Sequence, residues 1–152
     1  AGITEPVTAF SACFGAPFMP LHPTAYGEML SKKMEENGVN VWLVNTGWSG
    51  GSYGVGERMS LKITRALITA ALNGELNDVN FETHDVFGLN FPTECPNVPN
   101  DVLSPRNTWE DKNAYDKKAN ELAAKFVNNF KQFADNANDE IMAASPVVAQ
   151  NA

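Results

Sequence analysis

A dense group of glycines, followed by an arginine and a threonine, is the part of this sequence best suited to bind a ligand. Five glycines fall within ten residues of the segment 46–64, TGWSGGSYGVGERMSLKIT. Glycine lets backbone N–H groups approach a ligand closely and tolerates positive φ angles. Arg58 can place a planar, permanently charged guanidinium against a phosphate or a base, and the hydroxyl of Thr64 follows it closely along the chain. This combination predicts a site for a phosphate-bearing ligand.

The generic phosphate-binding motifs do not match this segment. A P-loop requires G-x-x-x-x-G-K-[ST]; Gly51 and Gly56 have the spacing, but Glu57 and Arg58 replace the lysine and the hydroxyl residue. The Rossmann fingerprint G-x-G-x-x-G is absent as well. On glycine content alone, a flexible surface loop is therefore the commoner interpretation of such a segment.

Other side chains that could do chemistry lack partners in the sequence. His22 and His84 have no carboxylate, cysteine or histidine at metal-binding spacing, and Ser11 does not lie in a G-x-S-x-G elbow. Cys13 and Cys95 form no C-x-x-C pair. The sequence leaves a disulfide between them open but favours two buried or half-buried thiols in a reducing cytoplasm. We assign no catalytic residue and no metal ligand from these patterns.

The elements that must hold the glycine segment follow from apolar periodicity and turn residues. Residues 39–45, VNVWLVN, are short, β-branched and apolar on both faces, which predicts a buried strand. Residues 61–73 have apolar positions at helical spacing, with Ser60 as the cap and Gly74 at the end. The glycine segment thus lies between a strand and a helix N-terminus, where α/β folds bind nucleotides.

Further elements complete the order expected of an α/β fold. Helices are predicted over residues 24–37 and 110–134, and strands over residues 7–13 and 81–91. An extended, proline-rich loop is predicted over residues 92–105. The last helix has an apolar stripe that we expect to be core, formed by Tyr115, Leu122, Phe126, Phe130 and Phe133.

Composition limits the partners of the chain. The 152 residues are 43% apolar and 19% charged, which is typical of a globular domain. A net charge of −7 argues against nucleic acid and anionic membrane surfaces as partners, because both require basic faces. The sequence opens without methionine and runs at once into an apolar segment, so we expect a chain cut from a longer one.

Four stretches resemble the ATP-dependent phosphoenolpyruvate carboxykinases. Residues 2–23, GITEPVTAFSACFGAPFMPLHP, resemble that family's G-x-T-E-P-x-x-x-F-S-A-C-F-G-x-x-F stretch, and residues 41–59, VWLVNTGWSGGSYGVGERM, resemble its L-V-N-T-G-W-x-G loop. Residues 60–76, SLKITRALITAALNGEL, are similar to the helix that follows, and residues 87–109 to the family's proline loop and D-P-R-N-T-[WY] segment. The resemblance runs from residue 2 to about residue 135, with several motifs in fixed order.

The resemblance implies a function and a set of nucleotide contacts. The family converts oxaloacetate and ATP into phosphoenolpyruvate, ADP and CO2 in the cytoplasm, for gluconeogenesis, with Mg²⁺ and commonly Mn²⁺ as a second metal. Its nucleotide-contacting residues correspond here to Arg58, Met59 and Thr64, of which Met59 is implied by the resemblance alone. Many members have lysine where this chain has Glu57, which weakens any role for that position in binding polyphosphate.

The resemblance also implies that this chain is incomplete. The family's P-loop, its metal-binding Lys, His and Asp, and its oxaloacetate-binding Arg all lie upstream of the matched region. We therefore expect residues 1–135 to be the C-terminal part of the family's mononucleotide-binding domain, a mixed sheet with flanking helices, and residues 136–152 to be a poorly ordered tail. The implied partners are the N-terminal part of the same polypeptide, ATP and oxaloacetate, with no nucleic acid and no membrane. The chain alone is expected to be inactive.

Two other functions remain open from the sequence. The chain could be an autonomous nucleotide-binding module, which ATP binding by the isolated chain would favour. It could instead be an interaction domain with a decayed pocket, which loss of Arg58 and Thr64 would have favoured. Both residues are present.

Overall fold

The computed structural model describes residues 2, 7–45 and 47–149, which contain both helices and short strands. The helices are α1 (Pro23–Asn37), α2 (Leu61–Leu72), α3 (Lys112–Phe130) and α4 (Asp139–Ala143). The strands are β1 (Trp48–Ser49), β2 (Glu57–Arg58), β3 (Phe81–Thr83) and β4 (Asn90–Pro92). Short 3-10 helices lie at Ala16–Phe18, Asn100–Val102, Pro105–Thr108 and Ala134–Asn136. This mixture of helices and small antiparallel sheets is compatible with the predicted α/β class.

The chain divides into two compact units. The first comprises Ala1–Val41 and Val127–Ala144, and contains α1 and α4. The second comprises Trp42–Phe126 and Ser145–Ala152, and contains α2, the strands and most of α3. The glycine segment and the predicted site residues all belong to the second unit. Within the described ranges, no helix is both long and apolar enough to cross a bilayer.

The first helix confirms the predicted range 24–37 and uses a histidine as its cap. His22 has extended backbone angles, and its Nδ1 accepts from Thr24 N–H at 3.4 Å, while Pro23 occupies the first helical position. Gly38 ends the helix with a left-handed φ of 57°. The His22 ring also meets the ring of Phe133 edge-on at 5.7 Å. His22 therefore has a structural role in the first unit.

Helix α2 begins and ends where the sequence predicts, and it carries the core of the second unit. Ser60 Oγ accepts from Ile63 N–H at 3.3 Å, and Gly74, with φ of 74°, follows the C-cap Asn73. Ile63, Ala66, Leu67 and Ala71 of α2 pack against a buried cluster. This packing holds α2 in place and therefore also fixes the start of the helix, which follows Arg58 and Met59 along the chain. The buried cluster at this helix consists of Ala70, Leu76, Cys95 and Val98.

Two predicted strands do not form. Residues 7–13 and 39–45 have no strand hydrogen bonding within the described part of the chain. The second segment is exposed rather than buried: Val41 and Leu43 are 60% and 81% exposed. A strand is stabilised by hydrogen bonding to a neighbouring strand, and neither segment takes part in the two ladders that the described residues form. The prediction of a buried strand before the glycines was wrong for this chain.

The predicted strand 81–91 is a hairpin instead. β3 pairs antiparallel with β4, with Phe81 opposite Pro92 and Thr83 opposite Asn90. Gly88, with φ of 65°, lies in the turn and donates to His84 O at 2.8 Å. The predicted mixed sheet is also absent from the described residues, whose strands form two separate two-stranded antiparallel ladders.

The predicted long helix forms, but its core residues differ from those expected. Ala119 and Ala123 are the buried residues of α3. Leu122 and Phe126, predicted as core, are 39% and 43% exposed. The small alanine side chains are buried on one side of the helix. The larger side chains of Leu122 and Phe126 stay partly exposed to solvent. Only part of the predicted stripe therefore faces the interior.

The C-terminal residues make defined contacts. Asn138 Oδ1 caps α4 by accepting from Ile141 N–H at 2.9 Å. Val147 N–H donates to Val86 O at 2.8 Å, and Ala149 N–H donates to Asn120 Oδ1 at 2.9 Å. That residues 136–152 form a poorly ordered tail stays a prediction.

Both cysteines are free thiols, but only one of them is buried as predicted. Cys95 is buried, whereas Cys13 is exposed, so the prediction of a buried or half-buried thiol was wrong for Cys13. Burial raises the pKa of the Cys95 thiol, and the nearby negative charge of Glu75 adds to the effect. The two thiols should therefore differ in reactivity.

Candidate functional site

The glycine segment forms a small hairpin with a defined hydrogen-bond pattern. β1 pairs antiparallel with β2, so that Trp48 lies opposite Arg58. In the connecting turn, the N–H groups of Val55 and Gly56 donate to Ser52 O at 3.0 and 2.9 Å. These bonds argue against the alternative of a loop without fixed structure. Thr46, the first residue of the predicted segment, lies outside the described residues.

Two glycines have a clear steric reason in this hairpin. Gly50 has a φ of 79°, a left-handed conformation that glycine adopts without strain. A Cβ on Gly56 would lie 2.7 Å from Gly51 N, which is too close for a side chain at that position. The hairpin thus needs glycine for its own packing, whether or not a ligand binds.

Arg58 presents an exposed guanidinium on the face of an aromatic ring. Its Cζ lies 5.8 Å from the ring centroid of Trp48, and Trp48 meets Tyr53 edge-on at 5.6 Å. The ion pairs found among the described residues do not include Arg58. Its charge is therefore available for a ligand, and the ring restricts its orientation.

Met59 and Thr64 follow on the connection into α2. Met59 N–H donates to Gly47 O at 3.2 Å, which leaves its carbonyl and its half-buried side chain for other contacts. Thr64 is half-buried in the first turn of α2, and its N–H donates to Ser60 O at 3.0 Å. The predicted cap, Ser60, accepts from the Ile63 amide, so that N–H group at the start of α2 is already used. The three predicted residues therefore lie along one short connection, from β2 to the first turn of α2.

The glycine hairpin makes one contact that the sequence did not predict. Gly50 N–H donates to Thr108 Oγ1 at 3.0 Å, across a sequence separation of 58 residues. The Thr108 hydroxyl in turn donates to Pro105 O at 2.7 Å. No local pattern in the sequence signals a contact at this separation.

A second polar cluster lines a cleft of about 460 Å³ in the same unit. Arg106 donates to both carboxylate oxygens of Asp116 at 2.8 and 2.9 Å. These hydrogen bonds lower the pKa of Asp116 and raise that of Arg106. The charge of Arg106 is therefore compensated by Asp116.

His84 in this cleft is held as a neutral ring. Its Nδ1 accepts from the amides of Val86 and Phe87 at 3.2 and 3.3 Å, so the ring proton is on Nε2. Nε2 then donates to the hydroxyl of Tyr115 at 2.6 Å. Burial lowers the pKa of His84, although the charges of Asp85 and Asp116 oppose the shift. The described residues contain no group of three or more His, Cys, Asp or Glu side chains that could hold a metal.

Comparison with known proteins identifies the family. The sequence profile described as phosphoenolpyruvate carboxykinase matches residues 1–101. The chain is 65% identical to the phosphoenolpyruvate carboxykinase (ATP) of Flavobacterium johnsoniae and 63% identical to that of Christiangramia forsetii. It is 57% identical to that of Brevibacillus brevis. Each match covers 97% of this chain and 28% of the relative, so the chain spans little more than a quarter of the length of these relatives. With two thirds of its residues matched by the profile and with relatives this similar, the chain belongs to the ATP-dependent phosphoenolpyruvate carboxykinase family.

Proposed function

We propose that this chain is the C-terminal part of the mononucleotide-binding domain of an ATP-dependent phosphoenolpyruvate carboxykinase. The intact enzyme would convert oxaloacetate and ATP into phosphoenolpyruvate, ADP and CO2, in the cytoplasm and for gluconeogenesis. The observation that carries the proposal is the exposed Arg58, which forms no ion pair with another described residue and lies between the glycine hairpin and the capped start of α2 in a chain of this family. An anionic ligand is what such an arginine is suited to bind.

We propose that Arg58, Met59 and Thr64 contact the nucleotide. The guanidinium of Arg58 would bind a phosphate or lie flat against the base, since both contacts suit its planar charge. Met59 would offer its carbonyl and an apolar contact to the base, because its N–H is already used by Gly47 O. Thr64 would offer a hydroxyl from the first turn of α2, a few residues after Arg58 and Met59.

Phosphoryl transfer itself is assigned to the part of the protein outside this chain. Such transfer depends on metal ions and on cations that neutralise the phosphates. The described residues offer no metal-binding group of three or more ligands, so we derive no step through Mg²⁺ or Mn²⁺ here. Both metals and oxaloacetate would bind to residues upstream of the matched region. We assign no catalytic residue in this chain.

The upstream part of the polypeptide is also the proposed structural partner. Most apolar side chains of segment 39–45 are exposed, and so are those of Phe14 and Phe18, at 105% and 88%. Such side chains are expected to be covered in a folded enzyme. The isolated chain should therefore bind a hydrophobic dye and self-associate in analytical ultracentrifugation. A monodisperse monomer that binds no dye and unfolds sharply would favour a self-sufficient nucleotide-binding module instead.

The activity assay tests the proposed function. The full-length protein that carries this segment should turn over with oxaloacetate, ATP and both metals, and the isolated 152-residue chain should not. Turnover by the isolated chain, reproduced after removal of host carboxykinase, would contradict the assignment of the chemistry to upstream residues. Absence of turnover by the full-length protein would contradict the proposed function itself.

A further inference from the structure

The amide of Gly50, just after β1, is held by a side chain from a distant part of the sequence. Gly50 N–H donates to Thr108 Oγ1 at 3.0 Å, and the same hydroxyl donates to Pro105 O at 2.7 Å. One hydroxyl therefore acts as acceptor and donor at once, which fixes the Thr108 rotamer and directs a lone pair at the hairpin. Removing the oxygen would leave the Gly50 amide without this acceptor.

The segment that carries Thr108 is itself tied to the long helix α3. Arg106 donates to both oxygens of Asp116, which lies on α3, and a bidentate pair of this kind resists rotation. Lys112, the first residue of α3, donates to the carbonyls of the residues before and after Thr108, at 2.9 and 2.6 Å. The support for Gly50 is therefore a turn fixed on both sides, rather than a free loop.

We propose that Thr108 is a positioning residue for the nucleotide, acting through Gly50 on Arg58; this inference rests on the proposed function. Gly50 directly follows β1, and Trp48 of β1 lies opposite Arg58 with its ring under the guanidinium. A displacement of Gly50 moves that strand and, with it, the surface on which the guanidinium lies. Gly50 itself leaves little room for change, because a Cβ there would lie 3.3 Å from Thr108 O at a φ of 79°.

The test uses threonine variants of the full-length enzyme. Thr108→Val keeps the shape of the side chain but removes both hydrogen bonds, while Thr108→Ser keeps the hydroxyl. Thr93→Val is the matched control, since Thr93 is another half-buried threonine whose hydroxyl donates to a backbone carbonyl, Asn80 O at 3.1 Å. Arg58→Ala is measured in parallel as a test of the site. The readout is KM for ATP and for oxaloacetate, together with kcat.

A positioning role predicts a selective effect on ATP. Thr108→Val should raise KM for ATP about three- to tenfold and leave KM for oxaloacetate within about twofold of the wild-type value. Thr108→Ser should restore KM for ATP to within about twofold, and Thr93→Val should not change it. A merely structural role would lower the yield of active enzyme without this separation between the two substrates.

The outcomes that overturn the two proposals differ. If Arg58→Ala raises KM for ATP but Thr108→Val does not, the positioning role is wrong and the proposed site stands. If Arg58→Ala leaves KM for ATP unchanged, the proposed site is wrong. Should Thr108→Val fail to fold, Thr108→Cys replaces the hydroxyl with a weaker sulfur acceptor. Its KM for ATP should then exceed that of Thr108→Ser, and equal values would overturn the positioning role.

Discussion

Replacing Arg58 with alanine should weaken ATP binding far more than it weakens the fold. The guanidinium is exposed and lies 5.8 Å from the Trp48 ring centroid, and an exposed contact of this kind contributes about 0.5–1 kcal/mol to stability. A charge-assisted hydrogen bond to the nucleotide is worth more, about 1.5–3 kcal/mol. This corresponds to a rise of about tenfold to a hundredfold in KM for ATP, with an equal fall in kcat/KM where kcat is unchanged.

The assay is steady-state kinetics of the full-length enzyme, with ATP varied at saturating oxaloacetate. Thermal unfolding of the same variant should shift by only a few degrees, about the amount expected for 1 kcal/mol or less. Arg65→Ala is the matched control, because Arg65 is an exposed arginine within α2. Unchanged ATP kinetics for Arg58→Ala, or an equal effect of Arg65→Ala, would refute the assignment of Arg58 to the nucleotide.

Three further predictions concern charge and burial. Glu57→Lys should leave KM for ATP unchanged or lower it slightly, since it removes an exposed negative charge beside Arg58; a clear rise would contradict this. His84 has a folded pKa below its usual 6.5, so its contribution to stability is complete above about pH 6.5 and is lost as pH falls through the folded pKa. The drop in Tm between about pH 7.5 and 5 should therefore be smaller in His84→Gln than in the wild type, and an equal drop would exclude His84 as a cause. A thiol reagent should label Cys13 in the native chain and Cys95 only after unfolding, as mass spectrometry can check.

Local signals in the sequence predicted the helices well. Ser60 and Gly74 mark the ends of α2, and Gly38 marks the end of α1, because capping depends on residues only a few positions apart. The strands were harder to predict, because a strand forms only when it pairs with another segment, and the local sequence does not indicate which segment that is. Residues 39–45 have the composition of a buried strand but form no strand within the described part of the chain.

The candidate site was predictable in its residue types but not in its geometry. Arg58 and Thr64 stand out because their side chains suit a phosphate ligand at the start of a helix. The pairing of Trp48 with Arg58 depends on the register of a hairpin, and the Thr108 contact depends on chain folding over 58 residues. Periodicity and motif spacing carry no information on either.

A structure of the full-length protein with ATP bound would show whether residues 58, 59 and 64 contact the nucleotide. We expect the Arg58 guanidinium and the Thr64 hydroxyl to lie within hydrogen-bond distance of the nucleotide, about 2.7–3.2 Å, with Met59 against the base or the sugar. A nucleotide that binds in the protein without touching residues 47–64 would contradict the claim.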